Sequence, residues 1–322
     1  MQIINHGFVP MRDIPGAVES FLEDAAPWDE TNQPDIVTWD SLEPVLLERA
    51  AQRKKLRESG ICDWPWAVAK HFGIDYKNPY QRTTDCAGFA GMPDDLILKQ
   101  MGLGARLKYH NFNPSPSWYF GRADANFRGG GATLGMVLKA INKYGCYPVD
   151  IAGPYETQYG KGASYWEKIK PQGEPYQVSC CYIGDLSAEN QFYAINLAGN
   201  AGCDIEIGSN RVMGKSMSYR NGFKEYANTG SGMHATRLIA ARTVAGNSNP
   251  FLFEKGSWGN YYPNGSQERE DTPTCGAWGS PDSLYSRIKQ RYFDAFILVY
   301  AESTPSESDW NLAVPQIAFP GV

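Results

Sequence analysis

Helix-type apolar spacing comes early in this chain and strand-type apolar runs come late. That order restricts the fold more than any other feature. Leu42, Val45, Leu46, Ala50 and Leu56 fall near one face of a helix over 41–58, with Arg49, Arg53, Lys54, Lys55 and Arg57 mostly elsewhere. The positive run 53–55 reads as a solvated helix face. Asp85 is placed to cap a helix running from Cys86 to about Met101, closed by Gly102 and Gly104. After Gly129-Gly130-Gly131 the spacing predicts a helix over 133–144, ended by Gly145, and a further one over 187–197. Strand patterns then dominate, at 177–183, 203–207, 234–244, 250–255 and 295–300. Segregated helices and strands favour a two-lobed α+β protein over an alternating βαβ sheet.

The 322 residues allow about two domains or one bilobal one. Residues 1–60 are expected to form an N-terminal arm and helix, the arm rich in Pro, Asp and Glu and packed along the outside. A helical lobe is expected over 61–165 and a β-rich lobe over 166–322. The net charge of −5 offers no basic surplus for phosphates, so a nucleic-acid partner is not expected. The longest strongly apolar stretch, Ala295 to Ala301, is seven residues, so no membrane span is expected. The start of the chain lacks a basic flank followed by an apolar run, which argues against a secretory signal. Seven irregularly spaced cysteines read as mostly reduced and buried, which suits the cytoplasm.

Several chemistries find no purchase. The four histidines (His6, His71, His110, His234) form no His-x-x-x-His pair, and no Cys-x-x-Cys occurs, so no metal site is expected. Cys180 and Cys181 are adjacent and would point to opposite faces of a strand. The segment from Gly208 to Ser216 ends in Gly-Lys-Ser, but five residues separate its glycines where a phosphate loop needs four. No Gly-x-Ser-x-Gly is present, so a serine nucleophile elbow has no candidate. What remains is a cysteine with a distant histidine. Cys86 opens a helix, where free N–H groups favour a thiolate. His234 enters a strand 148 residues later, within the spacing of about 130–150 seen in papain-type enzymes.

These residues resemble the papain-like cysteine peptidases. Gln81 precedes Cys86 as the family's oxyanion-hole Gln precedes its nucleophile. Gly129-Gly130-Gly131 and the helix after it, with Tyr147-Pro148 beyond, are similar to the family's Gly-Gly segment. Met233-His234-Ala235 looks like its catalytic-His strand. The stretch from Phe251 to Gly259, ending in Gly256-Ser257-Trp258-Gly259, looks like the strand that closes on Asn-Ser-Trp-Gly. The resemblance covers about residues 62–300 and implies a two-lobed papain-like fold. Asp85-Cys86-Ala87-Gly88-Phe89 is also similar to the Asp-Cys-Ser-Gly of NlpC-type cell-wall peptidases, which carry their His much closer to the Cys.

Four departures accompany it. The family's imidazole-orienting Asn aligns with Gly256. Gln81 lies five residues before Cys86, one fewer than usual. Thr83 stands where a disulfide cysteine is common, and the leader does not read as the family's inhibitory propeptide. The resemblance implies that Cys86 is the nucleophile, His234 the base and Gln81 an oxyanion donor, with Trp258 shielding the cleft. Asn260 is a weak substitute for the missing Asn, and Thr83 or Thr84 an alternative donor to Gln81. It implies no cofactor and no metal, and a peptide or protein substrate. The alternative is a weak or inactive papain-like fold that binds a protein partner in an assembly such as a bacteriophage virion, giving a cytoplasmic or virion-associated location.

Overall fold

The computed structural model describes residues 8–29, 31, 34–58, 62–71, 75–76, 78–93, 112–155, 163–214, 217–220, 223–226, 229–262 and 272–299. Among these residues one sheet gathers β1 (Ala25–Ala26), β2 (Ile36–Val37), β3 (Ser179–Tyr182), β4 (Ile205–Met213), β5 (Met217–Arg220), β6 (Phe223–Tyr226), β7 (Thr229–Arg242), β8 (Phe251–Lys255), β9 (Gly276–Gly279) and β10 (Asp294–Val299). Their order is β1-β2-β3-β10-β4-β7-β8-β9-β6-β5. The strands pair antiparallel except β1 with β2, β2 with β3 and β6 with β9. The fold is α+β, as the segregated sequence pattern implies.

Helices cover both faces of the sheet centre. On one face lie α4 (Cys86–Ala90) and α6 (Leu134–Tyr144), packed with Cys180, Ala235, Phe296 and Leu298. On the other lie α2 (Trp39–Glu58), α9 (Ala188–Asn200) and α10 (Pro281–Ile288), packed with Cys181, Ile205, Ile207, Ile297 and Val299. Cys180 and Cys181 thus serve opposite cores, as strand alternation requires. All six residues of β10 are buried, which is why its sequence reads as an unbroken apolar run. All seven cysteines are buried as thiols.

The sequence patterns match the elements closely where the strand or helix is amphipathic or doubly covered. Thr133 caps α6, its Oγ1 accepting from Met136 N at 3.0 Å, and Ser187 caps α9 from Asn190 N at 3.2 Å. Three expectations need correction. Arg53 is not solvated. Its guanidinium meets Asp63 at 3.1 Å inside the protein, and Arg57 meets the same carboxylate at 2.8 Å. Burial alone would raise the Asp63 carboxyl, but the two guanidiniums hold it below its ordinary value. Asp85 does not cap α4, since its side chain makes no capping bond. The stretch Gly208–Met213 is not a loop but part of β4, so it cannot curl around a phosphate. The helix expected to reach Met101 stops at Ala90, with Gly91 as its C-cap and Met92 and Pro93 outside it. Residues 94–101 of that expectation, with Gly102, Gly104 and His110, lie outside the described residues, as do His6, Lys215 and Ser216. Helix α5 (Ser115–Asp124) and strands β5, β6 and β9 have no counterpart among the sequence patterns.

The N-terminal segment has its core in the body of the protein. Phe8, Met11, Phe21 and Ile36 are buried in the same cluster as Cys86 and Ala235. Val9 N donates to Ala132 O at 2.9 Å, and Phe8 pairs with Ala132 in parallel. Helix α1 (Ala17–Leu22) sends the Phe21 ring edge-on against Phe296, 5.3 Å between centroids. Pro- and acid-rich composition hides these anchors, because each is a single residue filling a hole made by other elements. No helix among the described residues is long and apolar enough to cross a membrane.

Candidate active site

Helix α4 is short, and every one of its residues is buried. Its small side chains allow that. A Cβ at Gly88 would lie 3.0 Å from Trp118 Cβ and 3.2 Å from Pro114 O, and one at Gly91 would lie 3.1 Å from both Ile141 and Val137. The helix is therefore wedged between α5 and α6 with its N-terminus, Cys86, turned to strand β7. The Ala235 backbone N–H is a hydrogen-bond donor to the Cys86 sulfur. Ala235 directly follows His234, so one strand brings the imidazole-bearing residue next to the thiol.

His234 sits opposite Ser209 of β4, where the β4–β7 register shifts between Ser209 and Arg211. Such bulges re-aim side chains near sites. The indole of Trp258 stacks on the imidazole, 4.2 Å between centroids and 15° between planes. His234 is 1% exposed and Cys86 0%, so both are sealed from water in this conformation. Burial pushes the Cys86 thiol up to about 12, the Ala235 N–H works against that rise, and the neighbouring Asp85 charge adds to it. The thiol is therefore protonated in this form.

The Ser-Trp-Gly segment also holds the loop before Cys86. Tyr80 and Trp258 form an antiparallel bridge. Gln81 N donates to Ser257 O, and Gly259 N to Pro79 O, each at 2.6 Å. Ser257 Oγ donates to Gln81 Oε1 at 2.7 Å. Gln81 Nε2 is turned onto the Thr83 carbonyl. The carboxamide is thus anchored at its oxygen, and one of its two N–H donors is given to Thr83.

The position aligned with the orienting Asn is Gly256, whose N–H donates to Cys275 O at 2.9 Å. A Cβ there would lie 3.0 Å from the Met213 methyl, so that methyl occupies the space a side chain would take. Asn260 does not replace it. Its Oδ1 accepts from Asn78 Nδ2 at 2.8 Å and from Thr274 Oγ1 at 2.6 Å, in an exposed cluster on the far side of Trp258 in sequence. The structure therefore gathers Cys86, the His234 strand, Trp258 and Gln81, and leaves Asn260 bonded elsewhere.

Three participants escaped the sequence reading. Ser257 lay inside a recognised segment but has a specific task in holding Gln81. Tyr155 receives Arg82 N–H on its hydroxyl at 3.0 Å and packs edge-on to Phe89 of α4. Phe8 fits between the Ala132 segment and β4. A Cβ at Gly208 would lie 2.2 Å from its ring, so Gly208 must lack a side chain for Phe8 to seat. Neither Tyr155 nor Phe8 carries a local sequence signal.

Comparison with known proteins gives no family model that matches the chain and no curated protein that matches it. Solved structures do match. Xylellain, a cysteine protease from Xylella fastidiosa, is 14% identical over 69% of this chain and 82% of that one, with a TM-score of 0.42. The clostridial cysteine protease Cwp84 is 13% identical over 71% of this chain and 56% of its own length, at 0.41. A digestive procathepsin L 3 from Tenebrio molitor larval midgut is 10% identical over 80% and 90%, at 0.41.

Proposed function

We propose that this chain is a papain-like cysteine peptidase, held here in a closed, latent form. Its helical lobe would span 61–165 and its β-rich lobe 166–322, with the site between them. The observation that carries the reading is the meeting of the α4 N-terminus with β7, where Cys86 faces the Ala235 N–H beside a His234 ring stacked on Trp258. In the open form Cys86 would pass its proton to His234, giving a thiolate–imidazolium pair. The thiolate would attack a peptide carbonyl. The Cys86 backbone N–H and the Gln81 carboxamide would hold the oxyanion. His234 would protonate the leaving amine, and water would release the acyl group. The substrate class is a peptide or protein.

In this reading the N-terminal segment, whose Phe8 and Met11 share a core cluster with Cys86, would help to keep the thiol buried. Phe8 bridges the two sides, touching the Ala132 segment on one and Gly208 on the other. Gly208 pairs with Ala235, so Phe8 sits one strand away from the nucleophile's neighbour. Proteolysis in the stretch around Thr31 followed by removal of the freed segment is expected to raise Cys86 alkylation by iodoacetamide at least about tenfold, with peptide hydrolysis appearing alongside it. Alkylation no faster than a free thiol, with no hydrolysis, would overturn the peptidase reading.

Restoring the aligned Asn tests the departure at Gly256. For the Cβ of Gly256→Asn, the flexible Met213 methyl must shift by a few tenths of an ångström. The new carboxamide would fix the imidazole plane, and turnover by the opened chain is expected to rise about tenfold. Met213→Ala in the same background makes the room outright, so a gain only in the double variant identifies the methyl as the obstacle.

A further inference from the structure

Asp85 holds the N-cap position of α4 but does not act as a cap. Its backbone there has φ −114° and ψ 27°, away from the extended conformation of a capping residue. The carboxylate is instead buried, with the residue 2% exposed, and its Oδ1 has no hydrogen-bond partner. An ionised carboxylate left so is expensive to keep in place. Its one side-chain partner is the Tyr155 hydroxyl. That hydroxyl also accepts the Arg82 N–H, so a relay runs from the Arg82 backbone through Tyr155 to Asp85. The relay spans the segment that carries both Gln81 and Cys86.

We propose that Tyr155 and Asp85 form a positioning pair, in which Tyr155 pins the loop before the nucleophile and the Asp85 carboxylate restrains Cys86 until it takes up a proton. The pair rests on the buried Asp85 carboxylate with its unpartnered Oδ1 and on the Tyr155 hydroxyl that takes the Arg82 N–H, and its effect on catalysis rests on the peptidase reading above. Burial raises the Asp85 carboxyl to about 6, the Tyr155 bond opposing the rise. Below that pH the group is neutral and leaves a thiolate unopposed. Above it, a negative charge adjoins the sulfur and disfavours the thiolate.

Among the described residues, the titratable groups to reckon with are the Cys86 thiol next in the chain, the Tyr155 phenol bonded to the carboxylate and, on β7, the His234 imidazole beside Ala235. Helices α5 and α6 bring Trp118, Val137 and Ile141 to α4, none of which titrates. Arg82 contributes its backbone to the relay, and its side chain belongs to an exposed residue.

The test is the pH profile of Cys86 alkylation by iodoacetamide in the full chain, with site occupancy read by mass spectrometry. Asp85→Asn keeps shape and removes charge. The variant is expected to react about tenfold faster than the parent near pH 8 and equally fast near pH 5. Tyr155→Phe removes the hydroxyl that favours the charged form, so the midpoint of the parent profile should move to higher pH. In the double variant the tyrosine change should no longer shift any midpoint. A ratio independent of pH, or a midpoint unmoved by Tyr155→Phe, overturns the pair, because a purely structural role would act equally at all pH values. The two readings separate cleanly. Hydrolysis with a flat ratio defeats the pair and keeps the peptidase. The expected ratio without hydrolysis in any opened chain keeps the pair and defeats the peptidase.

Discussion

Exchanging Cys86 for serine is expected to lower peptide hydrolysis by the opened chain about 10⁴-fold or more, and His234→Ala is expected to do the same. A serine hydroxyl is far less acidic than a thiol, so the ion pair that makes the nucleophile cannot form. Cysteine and histidine also act as a unit. The double variant should therefore lose no more than either single one. Initial rates on a generic fluorogenic peptide check both statements, and melting curves show that the variants fold. Removing either side chain deletes a buried group without stranding a charge, so folding should survive. A Cys86→Ser chain that keeps the parent rate would move the chemistry to another residue.

The second large effect concerns stability. Glu254 is buried, with Thr236 Oγ1 donating to one oxygen at 2.5 Å and Arg287 Nη1 donating to the other at 2.5 Å. Glu254→Gln should cost about 3–5 kcal/mol, since it strands the Arg287 guanidinium with no opposing charge. Replacing both partners by methionine should cost much less, because no charge is then left buried. Urea unfolding of the two variants beside the parent measures the difference. Thr236 is two residues past His234 on β7, and Glu254 two before Gly256 on β8. The Thr236 hydrogen bond thus ties β7, which carries His234, to β8, which leads into Trp258, and the ion pair ties β8 to α10. Equal losses for the single and the double replacement would show that packing, and not charge, holds that junction.

Cys86 and His234 were legible as candidates because each sits at a boundary that sequence marks well. Cys86 begins a helix of small residues, and His234 leads an apolar strand at a telling separation. Trp258 and Gln81 followed from short segments around them. The unread parts have a common physical cause. Arg53 and Asp63, Glu254 and Arg287, or Lys224 bonded to the carbonyls of Tyr262 and Pro273, bury charge against partners far along the chain. Helical or strand periodicity treats every such residue as surface. Asp85 misled in the same way, because a carboxylate before a helix reads as a cap while its actual partner, Tyr155, lies 70 residues on, as sequence positions show. Asn260 was chosen for proximity in sequence to Gly256, but its loop turns it to Asn78 and Thr274.

The seat of Phe8 has a consequence for anything that competes for it. Because Gly208 offers no side chain, the Phe8 ring seats between that glycine of β4 and the Ala132 segment. Phe8 is tethered to the body by the short path through Met11, whose N–H is bonded to Asp294 at 2.8 Å. A tether of that length gives the ring a local concentration on the order of millimolar. An untethered aromatic side chain of equal fit must therefore be supplied above that level to displace it, whereas one cut anywhere in the tether reduces the threshold to the ring's own modest affinity.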